Sequence, residues 1–255
     1  MIRFFVTPQD IFENTIRLCA EDTKHAHILR LRPEETFIVC DGTGIDYICK
    51  LGERDGGTVA EIVEKVLSIG EPTIKCKAYM AYSKGDRLDF AVQKSVELGV
   101  HEIILFESER CVAVPKDVPK RVSRLQRIAL ETAKLCNRGI VPAVTSVKNL
   151  SDVIYKVSQE SANPSILALF FYECENRLSI KEILEQRLLP PFEAKCCDAK
   201  SVSIITGPEG GFEPHEAELA MSKDIATVSL GTRILRSETA PVIALAAVMY
   251  HTENL

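Results

Sequence analysis

The chain has 255 residues, of which 46% are hydrophobic and 26% charged, and its formal net charge is -5. This length allows one large domain or two modest ones, each with a real core. No stretch approaches the ~18 consecutive apolar residues of a membrane span, and the first ten residues lack the apolar run of a signal peptide. We therefore expect a cytoplasmic protein that does not bind a membrane.

Residues 1–70 are typical of a small β-rich domain. Residues 37–40 and 58–63 have the composition of strands, and turn sequences containing Asp-Gly lie at 41–42 and 55–57. One short helix fits between residues 7 and 31. Glycine and proline at residues 70–72 favour a linker. We therefore predict an N-terminal β-barrel at residues 1–70 and a second domain at residues 73–255.

The second domain alternates between strand and helix patterns. Strands are predicted at residues 74–80, 103–106, 166–171, 202–206 and 226–230. Helices are predicted at residues 86–98, 121–136, 180–188, 214–221 and 241–250. This alternation indicates an α/β domain with a largely parallel sheet.

The cysteines and histidines do not form a recognisable metal site. The nine cysteines are odd in number and contain no CxxC pair, and the five histidines form no HExxH motif. We therefore expect reduced thiols and no bound metal.

A basic segment lies within this acidic chain. Seven basic and two acidic residues between positions 116 and 138 give it a net charge of +5. A solvated helix face and a surface that binds RNA phosphates explain this charge equally well.

Two loops between a strand and a helix carry unusual sequences. Residues 206–212, TGPEGGF, have the glycine density of a loop whose backbone closely approaches another group. They lack the GK[ST] of a phosphate loop, so a neutral or zwitterionic cofactor fits better. Residues 229–241, SLGTRILRSETAP, place Arg233 and Arg236 near Glu238, and helix capping does not require these arginines. Ligands bind at such loops in open α/β sheets.

These motifs resemble the family of bacterial ribosomal RNA small subunit methyltransferase E, a branch of the knotted SPOUT methyltransferases. GPEGG followed by LGxRILRxETA carries the resemblance, and shorter matches in the same order extend it over nearly the whole chain. They are residues 3–6, 27–30, 41–42, 94–100 and 109–110. The chain departs from the family at 134–136, where Lys134, Leu135 and Cys136 replace Glu, Gln and Ser, and at Glu213, which replaces a capping Ser.

The resemblance implies a PUA-like RNA-binding β-barrel followed by a SPOUT α/β domain with a deep trefoil knot. S-adenosylmethionine would be the cofactor, bound by three loops of the knot. The expected cofactor-binding residues are Phe171, Thr206, Gly207, Pro208, Glu209, Gly210, Gly211, Ser229, Leu230, Gly231, Ile234, Leu235, Arg236, Thr239 and Ala240. The family is homodimeric.

The implied reaction is methyl transfer to N3 of a specific uridine in 16S ribosomal RNA of the small subunit. Uracil N3 carries a proton at neutral pH, so the site must remove it or stabilise the developing anion. Arg236 and Arg138 are the candidates for the anion, and Glu238 would either orient Arg236 or accept the proton. The expected RNA-binding residues are Arg3, Arg30, Arg110, Arg121, Arg124, Arg127 and Arg138.

Two alternatives remain open. A 2′-O-ribose or guanine-N1 methyltransferase would share the fold, which does not fix the target. A non-catalytic RNA-binding factor in ribosome assembly would belong to another class. The intact motifs at 207–211 and 236–239 argue against a decayed enzyme.

Overall fold

The computed structural model describes residues 2–54, 56–188 and 200–255. They form two compact units. The first comprises Met1–Glu71 and Leu130–Val141, and the second comprises Pro72–Ala129 and Pro142–Leu255. The chain leaves the first unit at the linker predicted for residues 70–72, but Leu130–Val141, which we predict in the second domain, belongs to the first unit. Within the three described ranges, no helix is both long and apolar enough to cross a membrane.

The first unit is built around a five-stranded sheet of order β1-β3-β4-β5-β2. Its elements are β1 (Arg3–Phe5), β2 (Thr15–Arg17), α1 (Ala20–Ile28), β3 (Thr36–Cys40), β4 (Ile45–Arg54) and β5 (Gly57–Leu67). A single 3-10 turn, Pro8–Asp10, precedes β2. The pairing of β1 with β3 is parallel, and the other pairings are antiparallel. The predicted small β-rich N-terminal domain is therefore confirmed.

Alternating side chains in β3 build the core of this unit. Phe37 and Val39 are fully buried and pack with Phe4 and Ile16, as expected for a strand with one apolar face. The β4–β5 hairpin turns at Gly56, whose φ of +76° is typical of glycine in a hairpin turn. Asp55, the first residue of the predicted turn, lies outside the described residues.

The second unit contains a six-stranded parallel sheet of order β11-β9-β10-β6-β7-β8. Its strands are β6 (Lys75–Ala81), β7 (Glu102–Glu107), β8 (Ala143–Asn149), β9 (Ile166–Phe171), β10 (Ser201–Thr206) and β11 (Ala226–Val228). Its helices are α2 (Arg87–Glu97), α3 (Val118–Leu135), α4 (Leu150–Ser161), α5 (Ile180–Arg187), α6 (Pro214–Met221) and α7 (Ala240–His251). The end of α3 belongs to the first unit.

Continuous apolar runs place the inner strands at the centre of this unit. β7 and β9 are buried along most of their length, as is usual for parallel strands covered on both faces. The predicted α/β domain with a parallel sheet is confirmed. The predicted strands and helices are all present, whereas β8 and α4 were not predicted. The trefoil knot depends on how the chain threads and stays a prediction.

Candidate functional site

Three loops meet at one edge of the second sheet. β9, β10 and β11 are parallel neighbours, so their carboxyl ends lie side by side. The loops that follow them, at residues 172–179, 207–213 and 229–239, enclose a cavity of about 970 Å³. Two of these loops are also tied together, because Ser229 N–H donates to the carbonyl of Leu178 at 2.9 Å and Ile180 N–H to that of Ser229 at 3.1 Å.

The cavity brings together fourteen of the fifteen predicted cofactor-binding residues. Thr239 does not line it and instead precedes α7 as its N-terminal cap. The fourteen are Phe171, Thr206, Gly207, Pro208, Glu209, Gly210, Gly211, Ser229, Leu230, Gly231, Ile234, Leu235, Arg236 and Ala240. Which of them contact a cofactor stays a prediction.

At two positions in the cavity wall, the backbone conformation requires glycine. Gly211 has a φ of +68°, and a Cβ at this position would lie 1.8 Å from Oε1 of Glu173 in the neighbouring loop. Gly231 has a φ of +103°, a conformation that side-chain-bearing residues rarely adopt. The glycine density noted in the sequence therefore has a local cause in each of the two loops.

The loop after β11 offers unused backbone donors to the cavity. Among the described residues, the N–H groups of Leu230 and of residues 232–235 have no hydrogen-bond partner. Partly exposed N–H groups in an irregular loop are suited to bind the polar edge of a ligand.

A chain of alternating charges, Glu209–Arg87–Glu238–Arg236, lies at the cavity, which all of them except Glu238 line. Arg87 Nη1 lies 2.7 Å from Oε1 of Glu209, and Arg87 Nε lies 3.7 Å from Oε2 of Glu238. Glu238 Oε1 in turn lies 4.0 Å from Nη1 of Arg236, whose side chain is 81% exposed. The same Oε1 of Glu209 accepts the N–H of Lys84 at 2.7 Å. Burial acts to raise the pKa of Glu209, but the hydrogen bonds from Lys84 and Arg87 outweigh it and hold the pKa below its usual value.

The comparisons with known proteins agree with this geometry. Residues 70–249 match the RNA methyltransferase domain family, and residues 18–62 match the RNA methyltransferase PUA domain family. Ribosomal RNA small subunit methyltransferase E of Bacillus subtilis is 31% identical over all of this chain and 98% of its own length. The enzyme of the same name from Synechocystis is also 31% identical, over 96% of this chain and 76% of its own length.

The chain belongs to the ribosomal RNA small subunit methyltransferase E family.

Solved structures of similar proteins extend the comparison to the whole fold. A family member from Neisseria gonorrhoeae bound to S-adenosyl methionine has a TM-score of 0.79 and 28% identity, over 99% of this chain and 98% of that one. A methyltransferase from Legionella pneumophila with bound S-adenosylmethionine has a TM-score of 0.77 and 25% identity, over 98% and 97% of the two chains.

The loop after β9 contributes a wall that sequence reasoning only partly found. The family resemblance predicts Phe171, the last residue of β9, as a cofactor residue, but it predicts no residue of the loop that follows. The cavity-lining residues of this wall are Tyr172, Glu173, Glu175, Asn176, Arg177, Leu178, Ser179 and Glu182. The pair Ser179 and Glu182 forms a capping box at the start of α5, and this S-x-x-E pattern could have marked the end of the loop.

Two predicted RNA-binding arginines are buried in ion pairs within the first unit, and we correct both assignments. Arg3 is 5% exposed, and its Nη1 and Nη2 donate to the two oxygens of Asp46 at 2.7 and 2.9 Å. Arg138 is 2% exposed, and its Nε and Nη2 donate to Glu71 at 2.8 Å each. A buried guanidinium that already donates two hydrogen bonds to a carboxylate is not available to bind phosphate.

The environment of Arg138 also argues against the catalytic role predicted for it. Oε1 of Glu71 accepts the backbone N–H groups of Gly139 and Ile140 at 2.9 and 3.0 Å, in addition to Arg138. Gly70 leaves room for this arrangement, since a Cβ there would lie 2.1 Å from the carbonyl oxygen of Asn137. Arg138 therefore fastens residues 137–140 inside the first unit, and Arg236 and Glu238 remain as the catalytic candidates.

Arg110 holds the glycine loop. Its Nη1 donates to the carbonyl of Gly210 at 3.0 Å, and its Nε lies 2.5 Å from Oε1 of Glu213, the residue before α6. Glu213, where the family has serine, thus gains a partner from a neighbouring loop. This contact favours a supporting role for Arg110 over the predicted RNA contact.

The basic segment on α3 is largely neutralised. Arg121 lies 3.2 Å from Asp89, and Arg124 pairs with the same carboxylate and, at 3.7 Å, with Asp86. Arg127 is exposed, and no ion pair links it to another described residue. Arg30, in the first unit, is likewise exposed and has a φ of +53°. Of the predicted RNA-binding residues, Arg30 and Arg127 are therefore the best placed to meet phosphate.

A metal site was not expected. Among residues 2–54, 56–188 and 200–255, no group of three or more His, Cys, Asp or Glu side chains could hold a metal ion.

Proposed function

We propose that the chain uses S-adenosylmethionine to methylate N3 of a uridine in 16S ribosomal RNA of the small subunit. The observation that carries this proposal is the cavity at the carboxyl ends of β9, β10 and β11, with unused backbone donors in its wall and Arg236 exposed at its edge. The target base follows from family resemblance. We also propose a cytoplasmic location, because the proposed substrate is ribosomal RNA of the small subunit.

The cavity fits S-adenosylmethionine in its donor groups and its charge. The free N–H groups of residues 230 and 232–235 suit the nitrogen-rich edge of adenine. Glu173 is exposed at the cavity wall, where a carboxylate suits the cationic ammonium and sulfonium groups. When bound, the cofactor supplies a methyl group already activated by the sulfonium charge.

Arg236 and Glu238 are proposed to act on the uracil. Methylation at N3 removes a proton and places negative charge on the neighbouring carbonyl oxygens. The guanidinium of Arg236, 81% exposed, is free to donate to such an oxygen. Glu238 is 15% exposed and lies close to Arg87 and Arg236, so it either orients Arg236 or accepts the proton.

We propose that the first unit binds RNA and that the protein is a homodimer. The match of residues 18–62 to the RNA methyltransferase PUA domain family supports RNA binding by this unit.

The proposal of a homodimer is supported by two helices of the second unit. α2 and α7 contact each other and expose Phe90, Ile243 and Tyr250. α7 is apolar around its whole circumference, which is typical of a helix covered on all sides. Sedimentation analysis tests the dimer, and a monomer at micromolar concentration would contradict it.

The reaction is tested by methyl transfer from S-adenosylmethionine to small subunits that lack the modification. The modified nucleoside is then identified by mass spectrometry of nuclease digests. We expect 3-methyluridine at a single position. A 2′-O-methyl nucleoside or 1-methylguanosine would establish another target, and RNA binding without any transfer would indicate a non-catalytic assembly factor.

A further inference from the structure

Arg87 stands between the two loops that carry the proposed function. It is the first residue of α2, yet its side chain reaches Glu209 in the loop after β10 and Glu238 in the loop after β11. The side chains of Glu209 and Glu238 are 19% and 15% exposed, whereas that of Arg87 is 43% exposed. One arginine therefore compensates two largely buried carboxylates that belong to different loops, of which Glu209 lines the cavity.

The distances show how Glu238 is shared. Its two oxygens lie 3.7 Å from Arg87 Nε and 4.0 Å from Arg236 Nη1, so neither arginine makes a close two-pronged pair with it. A charged N–H to carboxylate bond is normally about 2.7–2.9 Å long. Because Arg87 already partly satisfies Glu238, Arg236 is held loosely and its guanidinium stays exposed.

Removing Arg87 would take a cationic partner away from both Glu238 and Glu209. Glu238 would have Arg236 as its remaining cation, and a close pair between them would draw the guanidinium away from the substrate. Glu209 would keep the N–H of Lys84 on Oε1. Its Oε2 is already buried without a hydrogen-bond partner among the described residues, so the loop would be left with an uncompensated charge.

We propose that Arg87 is a positioning residue that keeps Arg236 available to the uracil and fixes the glycine loop through Glu209. The inference rests on the proposed function of the cavity. It assigns to Arg87 a coupling between cofactor binding and the catalytic segment, and it does not require Arg87 itself to touch RNA.

The test compares Arg87→Met and Arg87→Lys with wild type and with Arg187→Met, which removes an exposed arginine from α5 outside the cavity. Calorimetry gives the Kd of S-adenosylmethionine, and single-turnover methylation at saturating cofactor and small subunit gives the rate. We expect Arg87→Met to weaken cofactor binding about fivefold, in line with the loss of a partly exposed ion pair, and to slow transfer by up to about 10²-fold, as misplacement of a catalytic group does. Arg87→Lys should bind the cofactor as wild type does, because the ammonium can still pair with Glu209. Its methylation rate should remain low, since an ammonium cannot hold two carboxylates as the planar guanidinium does.

A double-mutant cycle with Glu209 is the second test. In a Glu209→Gln background, the effect of Arg87→Met on the cofactor Kd should largely disappear, because the two changes remove the same interaction. The inference is overturned if Arg87→Met weakens only small-subunit binding, or if rate and Kd per folded molecule are unchanged while the melting temperature falls. A wild-type chain that does not bind S-adenosylmethionine would overturn the proposed function, and this inference with it.

Discussion

Glu238 and Arg236 face each other across 4.0 Å, with the carboxylate 15% exposed and the guanidinium 81% exposed. An ion pair of this length at the surface contributes little to stability, about 0–1 kcal/mol. The arginine is therefore not explained by its contribution to the fold, and a ligand contact accounts for it better.

Arg236→Ala is expected to leave the melting temperature and the cofactor Kd near wild type and to slow single-turnover methylation by about 10²-fold or more. The reason is the loss of a donor to the developing oxyanion. Arg236→Lys should recover little activity, because a point charge does not reproduce a planar two-pronged contact. Near-normal turnover by a folded Arg236→Ala protein would remove Arg236 from the mechanism.

Arg138→Met tests the structural role of that residue. Breaking its pair with Glu71 should lower the free energy of unfolding by about 3 kcal/mol, the lower end for a buried ion pair, because Glu71 keeps two backbone donors. Urea unfolding measures the loss. Methylation per folded molecule should be unchanged, and a large fall in rate without a fall in stability would restore the catalytic assignment.

Gly231→Val should weaken cofactor binding through the backbone. A side chain at a φ of +103° is strained by about 1–3 kcal/mol, and the loop would relax away from its present shape. Gly42→Val is the matched control, because Gly42 also has a positive φ, +78°, but lies in the first unit. A Cβ added at either glycine would have no residue other than its chain neighbours within 4 Å. Neither substitution therefore causes a steric clash at Cβ, and the two differ in their location. Calorimetry should show a raised Kd for Gly231→Val alone, and equal affinities would mean that this loop does not hold the cofactor.

Arg127→Gln should weaken RNA binding without destabilising the protein. A lost phosphate contact reduces the slope of log affinity against log salt by about 1. Arg121→Gln should instead lower the melting temperature, since Asp89 loses a partner. Filter binding of small-subunit RNA over a salt series measures the slope. If Arg127→Gln binds like wild type at every salt concentration, the exposed face of α3 is not part of the RNA surface.

Stability should respond to pH through Glu209. Its pKa in the folded state lies below the ordinary value of 4.5, so its ion pair with Arg87 stabilises the fold fully above that value. The stabilisation is lost as the pH falls through the lower, folded-state pKa. The advantage of wild type over Glu209→Gln in urea unfolding should therefore be larger at pH 7 than at about pH 3. Arg87→Met should reduce that advantage, and a difference that is constant with pH would contradict the assignment.

The two glycine-containing loops of the site were predictable because their constraint is local. A glycine that must adopt a positive φ, such as Gly211, leaves a mark in the sequence at its own position. The strands before the loops are equally visible as short apolar runs. The individual cofactor residues follow from the family resemblance, and fourteen of the fifteen line one cavity.

The errors arose where the partner is distant in the chain. Arg3 and Arg138 have the same appearance in the sequence as RNA-binding arginines, and only the fold shows that Asp46 and Glu71 hold them. Arg87 was missed for the same reason, since its partner Glu209 lies 122 residues away. β8 was missed because its burial alternates only weakly along an edge strand.

The strand order of the second sheet has a consequence for biosynthesis. β6 lies between β7 and β10, and Ser201 of β10 pairs with Lys75 of β6. The ribosome therefore makes β7 soon after β6, but makes β10 only after β8 and β9 as well. Pairings of such long range carry a large loop-closure cost and form late. Because Ala240, the first residue of α7, also lines the cavity, a nascent chain completes this cavity only after α7 has emerged from the ribosome.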